Sequence, residues 1–368
     1  MTANTNTSQA GAGRTIISID AMGGDRGPAA VVAGVSLSAK INPDIGFILH
    51  GPKSKLEKLV AKKKPLMGRV EIRDAEDVVS MEDKPSQVMR NGKNTSMWSA
   101  IECVRDGDAD VCVSCGNTGA LMMLSVVRLR KLPGVNRPAI AVMWPSSNPQ
   151  GFNIMLDAGA DIRADENDLL QYALMGASYA RNGIELERPR IGLLNVGTEE
   201  HKGHPELKLA HELISQNAEL ANFEFVGFVE GRDLPGNVAD VIVTDGFTGN
   251  VALKTGEGIA SMIGAQLREA FKYTPLSRLA ALLAYPSLRR LNQKIDPRKV
   301  NGGVFLGLNG TVVKSHGSAD ATGVSAAVKL ACKLSQSGFS EKLAARVASA
   351  VSLPQDTATS QDNSGTPS

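Results

Sequence analysis

Short apolar runs rich in β-branched residues alternate with helical patterns along most of the chain. The runs occupy residues 15–20, 45–50, 110–114, 139–143, 190–195, 223–229 and 241–244. Alternation of strands with amphipathic helices is typical of βαβ units, whose crossovers are right-handed. The pattern therefore predicts an α/β protein with a mostly parallel sheet.

Four helix starts are marked by residues that favour a first turn or a cap. Pro28 and Pro205 suit first helical turns, and Asp165 suits the N-cap of the segment after it. Ser54 and Glu57 have the spacing of a capping box. We therefore expect helices to begin close to these positions.

Residues 250–292 carry a helical pattern almost throughout, which predicts a helical pair that protrudes from the rest of the fold. Residues 1–13 and 354–368 are mostly small and polar, so we expect both to be disordered tails. No glycine-rich linker divides residues 14–353. We expect these residues to form a single catalytic α/β domain.

The composition fits such a fold and narrows the function classes. The 368 residues are 42% hydrophobic but only 4% aromatic, so aliphatic side chains should dominate the core. A formal net charge of +2 gives no overall field of the kind that nucleic-acid-binding proteins show. No run reaches the length of a membrane span, and no apolar segment follows an early basic stretch. We therefore expect a cytoplasmic protein that binds no nucleic acid.

The cysteines indicate neither a redox centre nor a zinc site. Cys112 and Cys115 form a CxxC pair at the end of a predicted strand, but no second pair completes a metal site. Residues three apart on a strand face opposite sides. The favoured interpretation is that both are small apolar residues of a core strand.

Polar, glycine-containing loops follow four of the predicted strands. They lie at residues 20–25, 114–120, 194–200 and 244–250. In open α/β folds, ligands bind beyond the carboxyl ends of strands, where glycines let backbone N–H groups approach an anion. The chain has no Walker A motif and no GxGxxG after its first strand, which weakens ATP hydrolysis and dinucleotide binding as functions. These loops predict an anion site.

The residues of these loops carry a family resemblance. The strings are DAMGGD at 20–25, GNTGA at 116–120, LLNVGTEE at 193–200, DVIVTDGFTGNVALKT at 240–255 and KSHGS at 314–318. Together they closely resemble the phosphate acyltransferases of the PlsX type, and the resemblance runs from about residue 16 to residue 334. It implies a three-layer α/β/α fold similar to isopropylmalate dehydrogenase and phosphotransacetylase, and a homodimer. It also implies transfer of a long-chain acyl group from acyl carrier protein to inorganic phosphate, giving acyl phosphate for phosphatidic acid and phospholipid biosynthesis.

Four positions depart from the usual pattern of that family. Arg26 stands where His is common, Cys115 where Ala is usual, and Asp161 and His204 where Asn is usual. An alanine at the position of Cys115 argues against a cysteine nucleophile. Arginine in place of histidine argues against an essential proton transfer at Arg26.

The reaction implied by the resemblance needs little acid or base catalysis. Phosphate is substantially anionic near neutral pH, if a second pKa of about 6 for phosphate monoesters is a guide. The leaving thiol has a pKa of about 8.5, so its thiolate leaves readily. The site must therefore supply phosphate capture, alignment with the thioester carbonyl and donors for the oxyanion. No metal or other cofactor is expected.

The resemblance and the loop chemistry together give a set of candidate residues. The catalytic candidates are Asn117, Thr118, Lys202, Lys254 and His316, with Arg90 or Lys93 as further sources of positive charge. The phosphate-binding candidates are Gly23, Gly24, Gly119, Thr248, Gly249 and Asn250. The carboxylates expected to orient these donors are Asp20, Asp25 and Asp245.

Some of these residues have simpler interpretations. The aspartates are equally suited to capping loops, and Lys254 to a solvated helix face. His316 fits a structural hydrogen bond as well as a site role. A metal cluster could be assembled from His201, His204, His211, Glu199 and Glu200, but the spacing fits no standard motif.

The segment at residues 278–290 places an apolar tip between cationic flanks, which suits insertion into a membrane interface. The resemblance implies peripheral binding at the inner face of the cell membrane, and we assign the contact to Leu282, Leu283 and Tyr285. A buried helical dimer interface is the alternative. A membrane glycerol-3-phosphate acyltransferase that uses acyl phosphate is a further expected partner.

Acyl carrier protein is acidic, so a basic rim should receive it. The candidates are Arg128, Arg130 and Lys131 or Arg289 and Arg290. Two other functions remain open. One is a metal-dependent dehydrogenase on the related fold, and the other is a non-catalytic membrane-associated scaffold of lipid synthesis.

Overall fold

The computed structural model describes residues 14–199, 201–295 and 302–351. The two tails predicted at 1–13 and 354–368 lie outside the described residues.

Eleven strands of the described chain form one sheet in the order β3-β2-β1-β4-β11-β10-β5-β6-β9-β7-β8. The strands are β1 Ile16–Asp20, β2 Gly46–His50, β3 Val70–Arg73, β4 Val111–Ser114, β5 Ala139–Pro145, β6 Phe152–Leu156, β7 Arg190–Leu194, β8 Glu224–Val229, β9 Val241–Val243, β10 Gly303–Leu306 and β11 Thr311–Lys314. All seven apolar runs form strands, and the mostly parallel sheet is confirmed.

Three antiparallel pairs interrupt the parallel order, namely β10 with β11, β10 with β5, and β5 with β6. The sequence pattern did not reveal β3, β6, β10 or β11. A few residues separate β10 from β11 and β5 from β6, and so short a connection can join only antiparallel neighbours. These hairpins unite the two parallel halves in one sheet.

The helices of the described chain are α1 Gly27–Ile41, α2 Lys53–Val60, α3 Pro85–Asn91, α4 Ser96–Arg105, α5 Thr118–Leu129, α6 Glu166–Ile184, α7 Pro205–Asn217, α8 Gly246–Lys272, α9 Pro275–Ile295, α10 Ala321–Gln336 and α11 Phe339–Val351. Asp165 caps α6 in a capping box. The capping box expected at Ser54 and Glu57 is wrong. Pro52 precedes the first residue of α2 and makes no side-chain cap, so Ser54 already lies inside the first turn.

Two groups of helices cover opposite faces of the sheet. α1, α10, α11, α6 and α7 contact one another in succession, and α3, α4 and α5 form a second group. Along β4, Val111 and Val113 belong to the core beneath the first group, and Cys112 to the core beneath the second. Because neighbouring strand residues point to opposite faces, this alternation places the helix groups on the two sides. The three-layer prediction is confirmed.

The predicted helical pair is present as α8 and α9. At 27 residues, α8 is roughly 40 Å long, and its only fully buried residues are Gly246 and Gly249 at its start. Large apolar side chains farther along both helices are exposed, including Leu283, which is 79% exposed. Among the described residues, no helix combines the length and apolar character needed to cross a membrane.

Candidate active site

Three loops leave the sheet side by side at the carboxyl ends of neighbouring strands. β4 pairs in parallel with β1 on one side and with β11 on the other. The loops that follow these strands, residues 21–26, 115–117 and 315–320, are the three glycine loops. The Asp25 amide donates to the Gly317 carbonyl across 2.8 Å, which ties the first loop to the third. This edge is where α/β folds bind ligands, and it forms the candidate site.

Gly23 and Gly24 allow close approach between the glycine loops. A Cβ atom on Gly23 would lie 2.6 Å from the Gly116 amide nitrogen, and one on Gly24 would lie 2.8 Å from the Gly317 carbonyl oxygen. Gly24 also has a φ of +92°, which side chains disfavour. The two predicted phosphate-binding glycines therefore lie where the backbone itself must pack, and backbone N–H groups in such turns are suited to binding an anion.

Asp20 is buried at the end of β1 and orients the loops around it. Its Oδ1 accepts from Ser96 Oγ at 2.7 Å and from the amides of Met22 and Gly23 at 3.3 and 3.2 Å. Its Oδ2 accepts from Ser114 Oγ at 2.7 Å. Burial raises the pKa of this carboxyl above its usual value, and the four hydrogen bonds oppose that rise. Since every partner donates, Asp20 acts as an acceptor that fixes the loop geometry.

Asn117 caps α5 and holds a neighbouring loop. Its Oδ1 accepts from the Ala120 amide at 3.0 Å, while its Nδ2 donates to the carbonyls of Met81 and Asp83 at 2.9 and 3.1 Å. These contacts use both hydrogen atoms of the amide group. Thr118 and Gly119 form the first turn of α5, where helix N–H groups have no partner within the helix. The structure thus gives Asn117 a positioning contact and offers the amides beside it for an anion.

The start of α8 forms the second part of the site. Asp245 is its N-cap, and its carboxylate accepts from the Thr248 amide at 2.8 Å and from Thr248 Oγ1 at 2.7 Å. Gly249 packs so closely that a Cβ atom there would overlap the carbonyl oxygen of Asp157. Asn250 is exposed beside Gly159. The carboxylate of Asp245 therefore orients Thr248, and Gly249 is required by packing.

Asp157 was not among the candidate residues, although it lies beneath the start of α8. It is fully buried, and its carboxylate accepts from the amides of Ile140, Ala160 and Asp161 at 2.8 to 3.1 Å. Burial raises its pKa to about 6, against the effect of these hydrogen bonds. The string LDAGA after β6 resembles the other strand-end loops and was the available signal. Because β6 itself was not predicted, this string did not stand out as a strand-end loop.

Lys254, Glu257 and His316 connect α8 to the third glycine loop. Lys254 Nζ lies 2.8 Å from one oxygen of Glu257, and His316 Nε2 lies 3.6 Å from the other. The hydrogen bond from His316 and then the contacts with Lys254 lower the pKa of Glu257 to about 2, while partial burial opposes this. Glu257 was not predicted. The structure therefore brings two predicted catalytic residues together through a carboxylate that lies outside the family strings.

Lys314 is the third charged residue, after Asp157 and Glu257, that was not predicted. It is the last residue of β11, directly beside Ser114 of β4, and it is only 8% exposed. Burial lowers the pKa of its ammonium to about 8, while the nearby groups Cys115, Asp20 and Asp25 act to raise it. The string KSHGS contains both Lys314 and His316, and only His316 was predicted from it.

Lys202 lies apart from the three glycine loops in its described contacts. It follows β7 and pairs with Glu199 at 2.7 Å. Arg90 and Lys93 are exposed near the end of α3. Of the residues considered for a metal cluster, Glu200 lies outside the described residues, and the ring of His211 packs against Phe225 and Phe228. In the described ranges, no group of three or more His, Cys, Asp or Glu side chains is placed to hold a metal ion.

The four departures from the family pattern have structural settings. Arg26 Nε donates to the Ser318 carbonyl at 2.9 Å, which adds a tie between the first and third glycine loops. Asp161 pairs with Arg137, and His204 is the residue before α7. Cys115 is buried, and burial raises the pKa of its thiol, so the reactive thiolate is disfavoured. Cys112 is also buried, as predicted for a core strand.

The expected membrane residues lie on the surface of α9. Leu282, Leu283 and Tyr285 are 72%, 79% and 60% exposed. The two basic patches considered for acyl carrier protein differ. Arg128 already pairs with Glu102 and stacks on Trp98 at 4.8 Å, whereas Arg289 and Arg290 are exposed beside the apolar tip.

The arrangement as a whole is suited to anion binding. The turn at Gly24 and the first turn of α5 supply backbone donors, and Lys254 and Lys314 supply positive charge. The buried carboxylate of Asp20 is already occupied by four donors. An oxyanion or phosphate at this edge would therefore meet donors on several sides.

Comparisons with known proteins show the family and the fold of this chain. Residues 15–342 match the family described as fatty acid synthesis protein. The chain is 75% identical over 362 residues, 98% of its length and 96% of the relative's, to the phosphate acyltransferase of Ruegeria sp. (strain TM1040). Its fold is similar to a phosphotransacetylase from Streptococcus pyogenes, with a TM-score of 0.58, 17% identity and coverage of 88% of this chain and 94% of that one. The EutD phosphotransacetylase from Staphylococcus aureus is also similar in fold, with a TM-score of 0.55 and 15% identity. The similarity covers 88% of this chain and 94% of that one.

The resemblance read from the motifs is confirmed by a relative that matches nearly the whole chain, and the fold expected from it is confirmed by the solved phosphotransacetylases. The match of the family to residues 15–342 takes in all three glycine loops, α8 and α9. The chain therefore belongs to the fatty acid synthesis protein family, among the phosphate acyltransferases of the PlsX type.

Proposed function

We propose that this acyltransferase moves a long-chain acyl group from the thioester of acyl carrier protein to inorganic phosphate, and that the acyl phosphate serves phospholipid synthesis. The observation that carries the proposal is the meeting of three glycine loops and the start of α5 at one edge of the sheet. Such a site holds an anion without a metal or a dedicated nucleophile.

In the proposed reaction a phosphate oxygen attacks the thioester carbonyl carbon. A carbon–oxygen bond forms, the carbonyl becomes an oxyanion, and the carbon–sulfur bond then breaks as its electron pair passes to sulfur. The thiolate leaves and takes a proton from solvent, so the products are acyl phosphate and the free carrier thiol. The enzyme contributes positioning and stabilisation of charge, which are large effects in reactions of this kind.

The residues divide this work according to their contacts. The amides of Gly24, Thr118 and Gly119 bind phosphate or the oxyanion, whereas the Gly23 amide already donates to Asp20. Thr248 adds its hydroxyl only by giving up the hydrogen bond that this hydroxyl donates to Asp245. Lys254 supplies charge, and Glu257 positions both Lys254 and His316. Asp20 and Asn117 hold the loops in place. Lys202 contributes from the β7–α7 loop once the acyl donor is bound.

The helical pair extends the proposal to partners. The exposed apolar tip at Leu282, Leu283 and Tyr285 binds the inner face of the cell membrane, with Arg289 and Arg290 facing anionic headgroups or acyl carrier protein. The exposed apolar residues of α8, among them Met262 and Ile263, form the contact of a homodimer. This placement lets acyl phosphate pass to a membrane glycerol-3-phosphate acyltransferase.

The test incubates the purified protein with palmitoyl acyl carrier protein, with and without inorganic phosphate. We expect free carrier thiol and acyl phosphate to form together and only when phosphate is present. Thiol release without phosphate would identify a thioesterase instead, and no release would favour the scaffold. A parallel assay of NAD reduction would detect a dehydrogenase.

A matched pair of variants on α8 locates the activity. Lys254→Met should lower kcat/KM about 10-fold or more, because a charge beside the anion is lost. Lys272→Met, at the far end of the same helix, should leave turnover in solution unchanged. Equal effects of both variants would contradict the placement of the site.

A further inference from the structure

The buried ammonium of Lys314 has no carboxylate partner within the described ranges. Lys314 is 8% exposed, and its Nζ donates to the carbonyl of Ser315. Among the described residues, no carboxylate oxygen lies within 4 Å of Nζ, and Lys314 belongs to none of the ion pairs of the described chain. An ammonium carries three donors, so two of them remain for another acceptor. A buried charge of this kind is costly unless an opposite charge approaches it.

The carboxylates nearest to Lys314 are committed elsewhere or lie at the surface. Asp20 already accepts four hydrogen bonds from hydroxyl and amide donors. Asp25 is exposed at the rim of the first glycine loop. Lys254 adds a second positive charge close enough to disfavour the charged form of Lys314. Within the described part of the chain, the buried charge therefore has nearby carboxylates but none that contacts it directly.

The backbone around Lys314 is built for that anion. Lys314 ends β11 immediately before the third glycine loop, and its register partner Ser114 lies immediately before the second. The first loop is tied to the third through Asp25 and Gly317. Lys314 thus lies at the point from which the loops with backbone donors diverge.

We propose that Lys314 is a further catalytic residue, whose ammonium binds the acceptor phosphate from beneath the three glycine loops. The role rests on the acyl transfer proposed above. Phosphate completes the charge balance of the buried ammonium, and its attacking oxygen is thereby held beside the amides that receive the oxyanion. A purely structural lysine would instead be needed for folding whether or not phosphate is present.

The first experiment measures phosphate binding without turnover. The melting temperature of the protein is followed as inorganic phosphate replaces chloride at constant ionic strength, for wild type, Lys314→Met and Lys333→Met. Lys333 is an exposed residue of α10 that pairs with Glu185, so its variant is the matched control. We expect phosphate to stabilise wild type and Lys333→Met, and Lys314→Met to lose that response.

The same experiment separates the catalytic role from a structural one. Replacing an unpaired buried charge by an apolar side chain of similar length should leave the melting temperature in phosphate-free buffer equal or higher. A lower melting temperature with an unchanged response to phosphate would overturn the proposal.

The second experiment uses the acyl transfer assay. Lys314→Met should lower kcat/KM for phosphate about 100-fold, as expected for loss of one charged group at a developing anion. Because burial lowers the pKa of Lys314 to about 8, wild-type kcat/KM should fall above that pH, and the residual activity of Lys314→Met should not show this fall. The groups near Lys314 that also titrate or carry charge are Cys115, Asp20, Asp25 and Lys254. Cys115→Ala should keep the fall, because burial raises the pKa of that thiol.

The two proposals can fail separately. If wild type shows no phosphate-dependent turnover but phosphate stabilises it through Lys314, the anion site stands and the acyl transfer fails. If wild type turns over and Lys314→Met keeps both full activity and the response to phosphate, only the role of Lys314 fails.

Discussion

The two ends of α8 are governed by different constraints. At its start, Gly246 and Gly249 are buried against the loop after β6, and added side-chain atoms would collide with backbone there. Farther along, large apolar residues such as Met262 and Ile263 are 52% and 56% exposed, and Cβ on Gly258 would meet nothing within 4 Å. The comparison teaches that the proposed anion site depends on strict backbone packing, whereas the proposed membrane and partner contacts depend on side chains left uncovered.

The largest expected effect comes from placing a methyl group at each end of the helix. Gly249→Ala should lower the free energy of unfolding by about 3 kcal/mol and abolish activity, because Cβ would overlap the Asp157 carbonyl. Gly258→Ala should instead stabilise by about 0.5 to 1 kcal/mol, since alanine is the better helix former. Urea unfolding of both variants measures the difference. Similar stabilities would remove the contrast between the two ends.

Asp20→Asn tests whether Asp20 holds the loops by acting only as a hydrogen-bond acceptor. The new amide group would direct N–H bonds at donors such as Ser96 Oγ and Ser114 Oγ, so we expect a loss of about 2 kcal/mol in stability together with lower activity. Asp106→Asn, on an exposed loop where the pKa of the carboxyl is held low by Arg105, is the control and should change little. Thermal unfolding and turnover together decide, and an Asp20→Asn protein of normal stability would contradict the orienting role.

Leu283→Glu tests the outer end. We expect binding to anionic lipid vesicles to fall about 10-fold or more, because an apolar contact is replaced by a charge that anionic headgroups repel. Turnover in solution should persist. Leu220→Glu changes a leucine that is 65% exposed on the α/β body and should bind vesicles like wild type. Sedimentation of vesicles measures binding, and loss of the dimer in place of vesicle binding would favour the packing interpretation of this tip.

The smallest effect concerns His50, a buried histidine at the end of β2, far from both ends of α8 in sequence. His50 Nε2 donates to Ser18 Oγ at 2.9 Å, since that hydroxyl donates to the Ala100 carbonyl, and Nδ1 accepts from Ser99 Oγ at 2.8 Å. Burial and then Arg73 lower the pKa of His50 from 6.5 to about 3. His50 therefore binds a proton below pH 6.5 in the unfolded chain but stays neutral in the folded chain. The free energy of unfolding should fall by about 1 kcal/mol between pH 6.5 and 5.5. His50→Asn should show a flatter pH profile in urea unfolding, and an equal slope would contradict this.

Local sequence determined most of the strands, several helix starts and the family. Apolar runs predicted seven strands because a strand buried on both faces must be apolar along its length. Proline and aspartate marked the starts of α1, α6 and α7, since these residues act within one turn of their own position. The glycine-containing strings identified the family and three of the loops that form the site. Tertiary structure decided the order of the strands and the contacts between residues far apart in sequence.

β11 lies beside β4 although the chain separates them widely, so only the sheet order brings Lys314 next to Ser114 and beneath the glycine loops. Asp157 lies beneath the start of α8, and Glu257 joins Lys254 to His316, through the same kind of long-range packing. The burial of a charge and the distance between two loops depend on contacts far apart in sequence, and the surroundings of these three residues arise from such contacts.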